Sequence, residues 1–139
     1  EVRKLETCRN ISPIRFDGSL YWANTGYFED KIQERVALKP DLKFVIIDAE
    51  GINEIDATGE EMLFQLIERL REAGVELLIA RAKKQLWDTF TRTGLMDKLG
   101  HDHMFALRTQ AFNYAWDKLG DNHAETCPLR VAKPVEAQA

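Results

Sequence analysis

At 139 residues, with 45% hydrophobic and 30% charged side chains and a formal net charge of −4, the chain suits one domain with a core of its own. The mild acidity argues against a nucleic-acid binder, which needs a net basic face. No apolar run approaches the roughly 20 residues of a membrane span, and no basic-then-apolar signal segment opens the chain.

Residues 1–10 read as an N-terminal edge segment, with Val2 and Leu5 as its apolar positions. Ile14 and Phe16 flank Arg15 in a period-2 pattern, which predicts one or two edge strands in which Pro13 is tolerated. Asp17-Gly18-Ser19 reads as a turn and Leu20-Tyr21-Trp22 as a brief apolar continuation. Asn24 or Thr25 can cap a helix with Phe28, Ile32 and Val36 on one face, ended by Pro40. Phe44 to Ile47 is a continuous apolar run, the mark of a strand covered on both faces, and a polar loop from Asp48 to Asp56 is expected after it. Thr58-Gly59-Glu60-Glu61 matches a capping box, so Thr58 is the expected N-cap of a helix with Met62, Leu63, Leu66, Ile67 and Leu70 as its stripe and Gly74 as its stop.

Val75 to Ala80 predicts a second buried strand. Leu86, Trp87 and Phe90 mark a third helix ending at Gly94, and Met104 to Leu107 a last short strand. Thr109 can cap a fourth helix carrying Phe112, Ala115, Trp116 and Leu119. Beyond Asp121 the periodicity vanishes, which predicts a flexible tail over 121–139 after a domain over 11–120. Strands come first, and helices and strands then alternate. That order predicts an α/β fold around a sheet of four or five strands with parallel central members and about four helices.

Catalytic signatures are missing: the sequence holds no GxGxxG, phosphate loop, GxSxG elbow or HExxH, so neither an enzyme nor a bound cofactor is expected. His101 and His103 form an HxH pair in a Gly100–His103 turn, without an obvious third ligand, and read as solvated loop residues; His123 with Cys127 is weaker still, and no metal site is expected. Asp48, Glu50, Glu54, Asp56, Glu60 and Glu61 crowd one strand-to-helix connection. They read either as a divalent-cation site or as helix-dipole partners and a solvated loop. Arg81, Lys83 and Lys84, with Arg92 further on, form a basic patch, suited to a nucleotide, an anionic lipid or an acidic partner, or else a solvated face. Tyr21, Trp22 and Tyr27 cluster near one loop end and read as a docking face, core packing being the other reading for Trp22. Cys8 and Cys127 read as free thiols or as a disulfide. The chain begins at Glu1, which suggests a piece of a longer polypeptide.

Phe44-Val45-Ile46-Ile47-Asp48, followed by Ile55-Asp56-Ala57-Thr58-Gly59, resembles the central strand and Asp-x-Ser/Thr-Gly loop of STAS domains (sulfate transporter and anti-sigma factor antagonist domains). Gly74 to Ala80 is similar to the family's next strand, and Arg92-Thr93-Gly94-Leu95 to the turn after its third helix. Arg15-Phe16-Asp17-Gly18-Ser19-Leu20-Tyr21-Trp22-Ala23-Asn24 resembles the Arg-Phe…Leu-Tyr-Phe-Ala-Asn segment of STAS domains attached to SulP anion transporters. The resemblance covers about Ile11 to Leu119.

It implies an anti-sigma factor antagonist-like fold with a small mixed sheet. It further implies a non-catalytic domain on the cytoplasmic face of the plasma membrane, attached to the transmembrane part of a sulfate-type secondary transporter and supporting its assembly and regulation. Partners implied are that transmembrane domain, a second copy of the chain and a cytosolic regulatory protein, with no nucleic acid. A soluble antagonist switched by phosphorylation and a nucleotide-binding regulatory module are the alternatives. The resemblance places the loop's partner or anion site at Asp56, Ala57, Thr58 and Gly59, with Thr58 where antagonist-type relatives carry a phosphorylated serine. Here the residue is Thr, position 57 is Ala, and Glu60 and Glu61 would repel a phosphate.

Overall fold

The computed structural model describes residues 9–21 and 23–120. Val2, Leu5, Cys8, Trp22, His123, Cys127 and the expected tail lie outside the described residues.

Four strands form one sheet in the order β1-β2-β3-β4: β1 (Ile11–Leu20), β2 (Phe44–Ile55), β3 (Glu76–Ala80) and β4 (Met104–Phe105). All three pairings are parallel. Among the described residues the sheet is therefore purely parallel rather than mixed, and β1 holds the edge position expected of it. Helices α1 (Thr25–Leu38), α2 (Ala57–Glu72), α3 (Lys84–Thr93), α4 (Leu95–Leu99) and α5 (Arg108–Leu119) fill the connections.

The apolar alternation of the central strands explains the layering. Val45, Ile47, Leu77 and Ile79 point into one core with Phe28, Ile32, Leu66, Leu70, Phe90 and Leu95 from α1 to α4. Phe44, Ile46, Leu78 and Ala80 point to the opposite face, where Ala111, Phe112, Ala115 and Trp116 of α5 cover them. A strand buried on both sides has no room for polar alternation, hence the unbroken run at residues 44–47.

Three local expectations are corrected. Asp17-Gly18-Ser19 is no turn: β1 continues to Leu20, paired with Ile55, and register shifts between Arg15 and Asp17 and between Gly18 and Leu20 absorb the irregularity. Gly18, at φ 105°, supplies a backbone that other residues rarely adopt. The polar stretch after Asp48 is likewise strand, because the long β1 gives residues 51–55 a ladder to join. The helix after Gly94 was not foreseen: Gly94 at φ 85° ends α3 and leads directly into α4, whose Leu95, Met96 and Leu99 are buried. The stop of α2 is as expected. Val75 N–H donates to Leu70 O at 2.8 Å and Gly74 N–H to Arg71 O at 3.0 Å, a Schellman closure with Gly74 at φ 81°.

Candidate functional site

The parallel sheet gathers the C-terminal ends of its strands along one edge, the place where open α/β sheets bind ligands and partners. Leu20 and Tyr21, Glu54 to Gly59, and Arg81 to Lys84 all meet there.

The start of α2 differs from the capping-box expectation. Asp56, not Thr58, is the N-cap: its backbone is extended, and its carboxylate accepts from Gly59 N–H at 2.8 Å. The reason is that β2 runs to Ile55, and Asp56 N–H donates to Leu20 O at 3.1 Å, so residue 56 is the last extended one and Ala57 already helical. Thr58 stands exposed in the first turn. Gly59 is buried beneath it, where a Cβ would lie 2.5 Å from Leu20 O and 2.8 Å from Ile55 Cγ1. The glycine of the loop thus lets the helix start seat directly on the ends of β1 and β2.

Beside this loop, the Tyr21 hydroxyl donates to Glu54 Oε1 at 2.5 Å, and that hydrogen bond raises the phenol's pKa above its ordinary value. Asn24 is the N-cap of α1, but its side chain caps nothing; its Oδ1 accepts from Tyr21 N–H at 2.9 Å and so ties the strand end to the helix. Tyr27 stands edge-on to the buried Phe16 ring at 6.2 Å, with Lys31 Nζ 5.8 Å from its own ring centre. Tyr21 is 41% and Tyr27 65% exposed, so the two rings stay largely open to solvent.

The basic residues do not share one free face. Arg81 turns inward to Asp48, Lys83 donates to Asn53 Oδ1 at 2.6 Å, and Lys84 pairs with Asp88 at 3.0 Å one helical turn on. The carboxylates disperse as well, to Tyr21 (Glu54), the α2 cap (Asp56) and the arginines (Asp48, Glu50), and among the described residues no three groups converge as metal ligands. His103 is buried, not solvated, with Nε2 3.1 Å from the Tyr114 hydroxyl; His101 pairs with Asp97 at 2.7 Å. Thr109 is the second residue of α5, and Leu107 occupies its N-cap position.

The most developed polar assembly was not read from the sequence as a unit. Asp48, 3% exposed, follows the apolar run Phe44–Ile47 of β2. Arg81 grips it with Nε at 3.2 Å and Nη2 at 2.8 Å, Arg15 Nη1 sits at 3.3 Å, Arg108 Nη1 at 3.8 Å, and Glu50 N–H donates at 3.1 Å. Burial pushes the Asp48 carboxyl's pKa up, but the Arg81 hydrogen bonds, the Glu50 N–H and the charges of Arg81 and Arg108 outweigh it and hold the pKa below the ordinary value. Arg81 adopts φ 62°, the one non-glycine residue with positive φ among those described, so the ion pair is made at the expense of a strained backbone. The available signal was the charge itself. An aspartate inside a run of six buried strand residues cannot stay unpartnered.

A profile of the STAS domain family matches residues 3–111. Solute carrier family 26 member 10 of Mus musculus is 27% identical over 138 residues, covering 94% of this chain but 20% of the mouse protein. Among solved structures, the SulP transporter STAS domain from Vibrio cholerae superposes with a TM-score of 0.68 at 17% identity, covering 81% of this chain and 86% of that one. The murine solute carrier 26 family member A9 anion transporter in its inward-facing state gives 0.69 at 19% identity, covering 76% of this chain and 18% of that one. At such identities the superpositions establish the shared fold. No helix among the described residues is long and apolar enough to cross a membrane.

Proposed function

The chain belongs to the STAS domain family, and from that premise we propose that it is the non-catalytic regulatory and interaction domain of a SulP-type secondary anion transporter. The observation that carries the reading is the extent of the match: nearly the whole chain aligns with a solute carrier of which it spans about one fifth. A domain of this kind has no pathway for an anion of its own. Its contribution is contact, with the transmembrane part on the cytoplasmic side, with a second protomer or with a cytosolic regulatory protein.

The edge formed by Tyr21, Tyr27 and the Asp56–Gly59 loop suits that contact. Two aromatic rings stand open to solvent on rigid supports, Tyr21 clamped by Glu54 and Asn24 and Tyr27 backed by Phe16. Preorganised aromatics deliver contact area at little entropic cost, and tyrosine is enriched where proteins meet. Thr58 is exposed in the same loop, and its exposure supports reading it as a position where a phosphate would alter that contact.

The test uses the native gene product in fractionated source cells, detected by an antibody to this domain. The expected result is a membrane-bound band several times larger than the 16.0 kDa of this chain, released only by detergent. A soluble band near 16.0 kDa overturns the transporter reading. In the full-length protein, replacing Tyr21 and Tyr27 by Ser should weaken assembly while leaving the isolated domain's stability nearly unchanged. Unaltered assembly removes these tyrosines from the docking face.

A further inference from the structure

At the end of the sheet opposite the tyrosine edge, the last turn of α1, the link to β2 and the entry to β1 are tied into one corner. Lys39 N–H closes α1 on Val36 O at 3.3 Å, and Leu42 N–H donates back to Lys39 O at 3.0 Å. Asn10 O accepts from Lys43 N–H and Phe44 N–H at 2.9 and 3.0 Å, while Asn10 Nδ2 donates to Asp41 O at 2.9 Å. Val36 is the last residue of α1 to pack on the core. Leu38 lies two residues on, roughly 200° round the helix axis, and so turns to solvent. At 70% exposure it is the most open large hydrophobic side chain among the described residues.

Cations gather at the same corner. Arg35 precedes Leu38 by three residues and lies on its side of the helix, and Arg9 and Lys43 are exposed across the corner. None of these three makes an ion pair among the described residues. Lys39, which donates to Ile11 O at 3.3 Å, adds its charge. The carboxylates of the corner are Glu34 and Asp41, both exposed. Beyond it, Arg69 pairs with Glu29 and Arg71 with Glu76, which leaves Glu72. The corner is therefore locally positive on a chain whose formal net charge is −4. At physiological ionic strength exposed charges more than about 8 Å apart are largely screened, so a surface that meets the corner responds to the corner and not to the whole.

A stable protein interface buries roughly 800 Å² per partner around a desolvated centre, and one leucine among charges does not offer that. A bilayer asks for less. One apolar side chain enters the headgroup boundary, and arginine and lysine reach the lipid charges on their apolar stems. We infer that this corner docks on an anionic lipid surface, with Leu38 entering the headgroup region and Arg9, Arg35 and Lys43 pairing with the lipid charges. The inference goes beyond the transporter reading and takes from it only that a bilayer is near.

The test is co-sedimentation of the whole 139-residue chain with vesicles of phosphatidylcholine alone, or of phosphatidylcholine and phosphatidylserine at roughly 7:3. Because the chain as a whole is acidic, a preference for the anionic vesicles reports the corner rather than general adsorption. Half-binding is expected at accessible lipid on the order of 1 mM for the anionic vesicles, with loss of binding in about 0.5 M salt. Arg35→Gln and Lys43→Gln should each weaken it about fivefold, and Leu38→Ser by a similar factor. Lys84→Gln, at the opposite edge and 87% exposed, should leave it unchanged. All four changes are at the surface, and equal thermal midpoints verify that each variant is folded. The inference is overturned if anionic vesicles do not bind, if both vesicle types bind equally, if the three corner variants bind like wild type, or if Lys84→Gln weakens binding as much as they do. Binding of polyglutamate through Arg35 and Lys43 without binding of vesicles would also overturn it, and would assign the corner to an acidic protein. Each of these failures leaves the size and membrane partitioning of the native gene product untouched, so the two readings fail separately.

Discussion

Arg81 carries two opposing contributions that a pair of substitutions separates. Its side chain supplies the fork on Asp48, and its backbone sits at φ 62°. Arg81→Ala removes the fork and leaves a buried carboxylate with Arg15 at 3.3 Å and Arg108 at 3.8 Å. Breaking a buried pair costs roughly 3–5 kcal/mol. Arg81 is only partly buried and two guanidinium groups stay close, so about 2–3 kcal/mol is expected. Arg81→Gly loses the same interactions but relieves the left-handed backbone, which costs a residue with a Cβ about 1 kcal/mol. The glycine variant should therefore be about 1 kcal/mol more stable than the alanine variant, against the usual order for a substitution at an ordinary backbone position. Urea titrations of wild type, Arg81→Ala and Arg81→Gly, compared at equal slope, give both differences. An alanine variant as stable as the glycine variant would refute the claim of backbone strain. An alanine variant as stable as wild type would show that the Asp48 fork contributes nothing.

Three further outcomes follow from the same structure. Asp48 has a folded-state pKa below its unfolded value of about 3.9, so its contribution is fully present above that pH and fades as pH falls through the folded value; stability measured from neutral to acid pH should drop more steeply for wild type than for Asp48→Asn. Asp56→Ala should cost about 1 kcal/mol by uncapping α2, whereas Thr58→Ala should stay within about 0.5 kcal/mol in the isolated domain, read as thermal midpoints. Gly59→Ala should be the more damaging change in that loop, by about 2–3 kcal/mol or a midpoint lower by roughly 10 °C, because its Cβ would meet the Leu20 backbone oxygen, which cannot move aside, as well as the Ile55 side chain.

The parts of the fold that were legible in the sequence are those fixed by local, repeated chemistry. Met62, Leu63, Leu66, Ile67 and Leu70 recur at the spacing of a helix face and are buried together. Residues 44–47 are apolar without alternation and lie between two layers. Element ends were less legible where a distant partner decides them. Nothing local to Gly51, Asn53 or Glu54 favours a strand; β1, some 35 residues earlier, extends β2 through them. That extension moves the start of α2 from Thr58 to Asp56. A hydroxyl three residues before a glutamate is a good cap in isolation, and it lost to an aspartate that the ladder had already placed in the extended conformation.

The candidate sites divide along the same line. Tyr21, Tyr27 and the Asp56–Gly59 loop are near neighbours through the β1–β2 pairing; the resemblance singles out the loop, and the clustering of aromatics in the sequence singles out the tyrosines. The arginine assembly around Asp48 draws one residue from each of β1, β2, the turn after β3 and the start of α5, with separations of 33 residues between Arg15 and Asp48 and again between Asp48 and Arg81. Local composition points in a different direction: Arg81 reads as a patch with Lys83 and Lys84, and Asp48 as an acidic cluster with Glu50 and Glu54. The fold takes both apart, because a carboxylate buried within a central strand is worth more to a guanidinium than solvent is. A charge placed immediately after a doubly buried apolar run is thus better read as one half of a long-range pair than as a member of the like charges beside it, and here that reading leads from Asp48 to Arg81, Arg15 and Arg108.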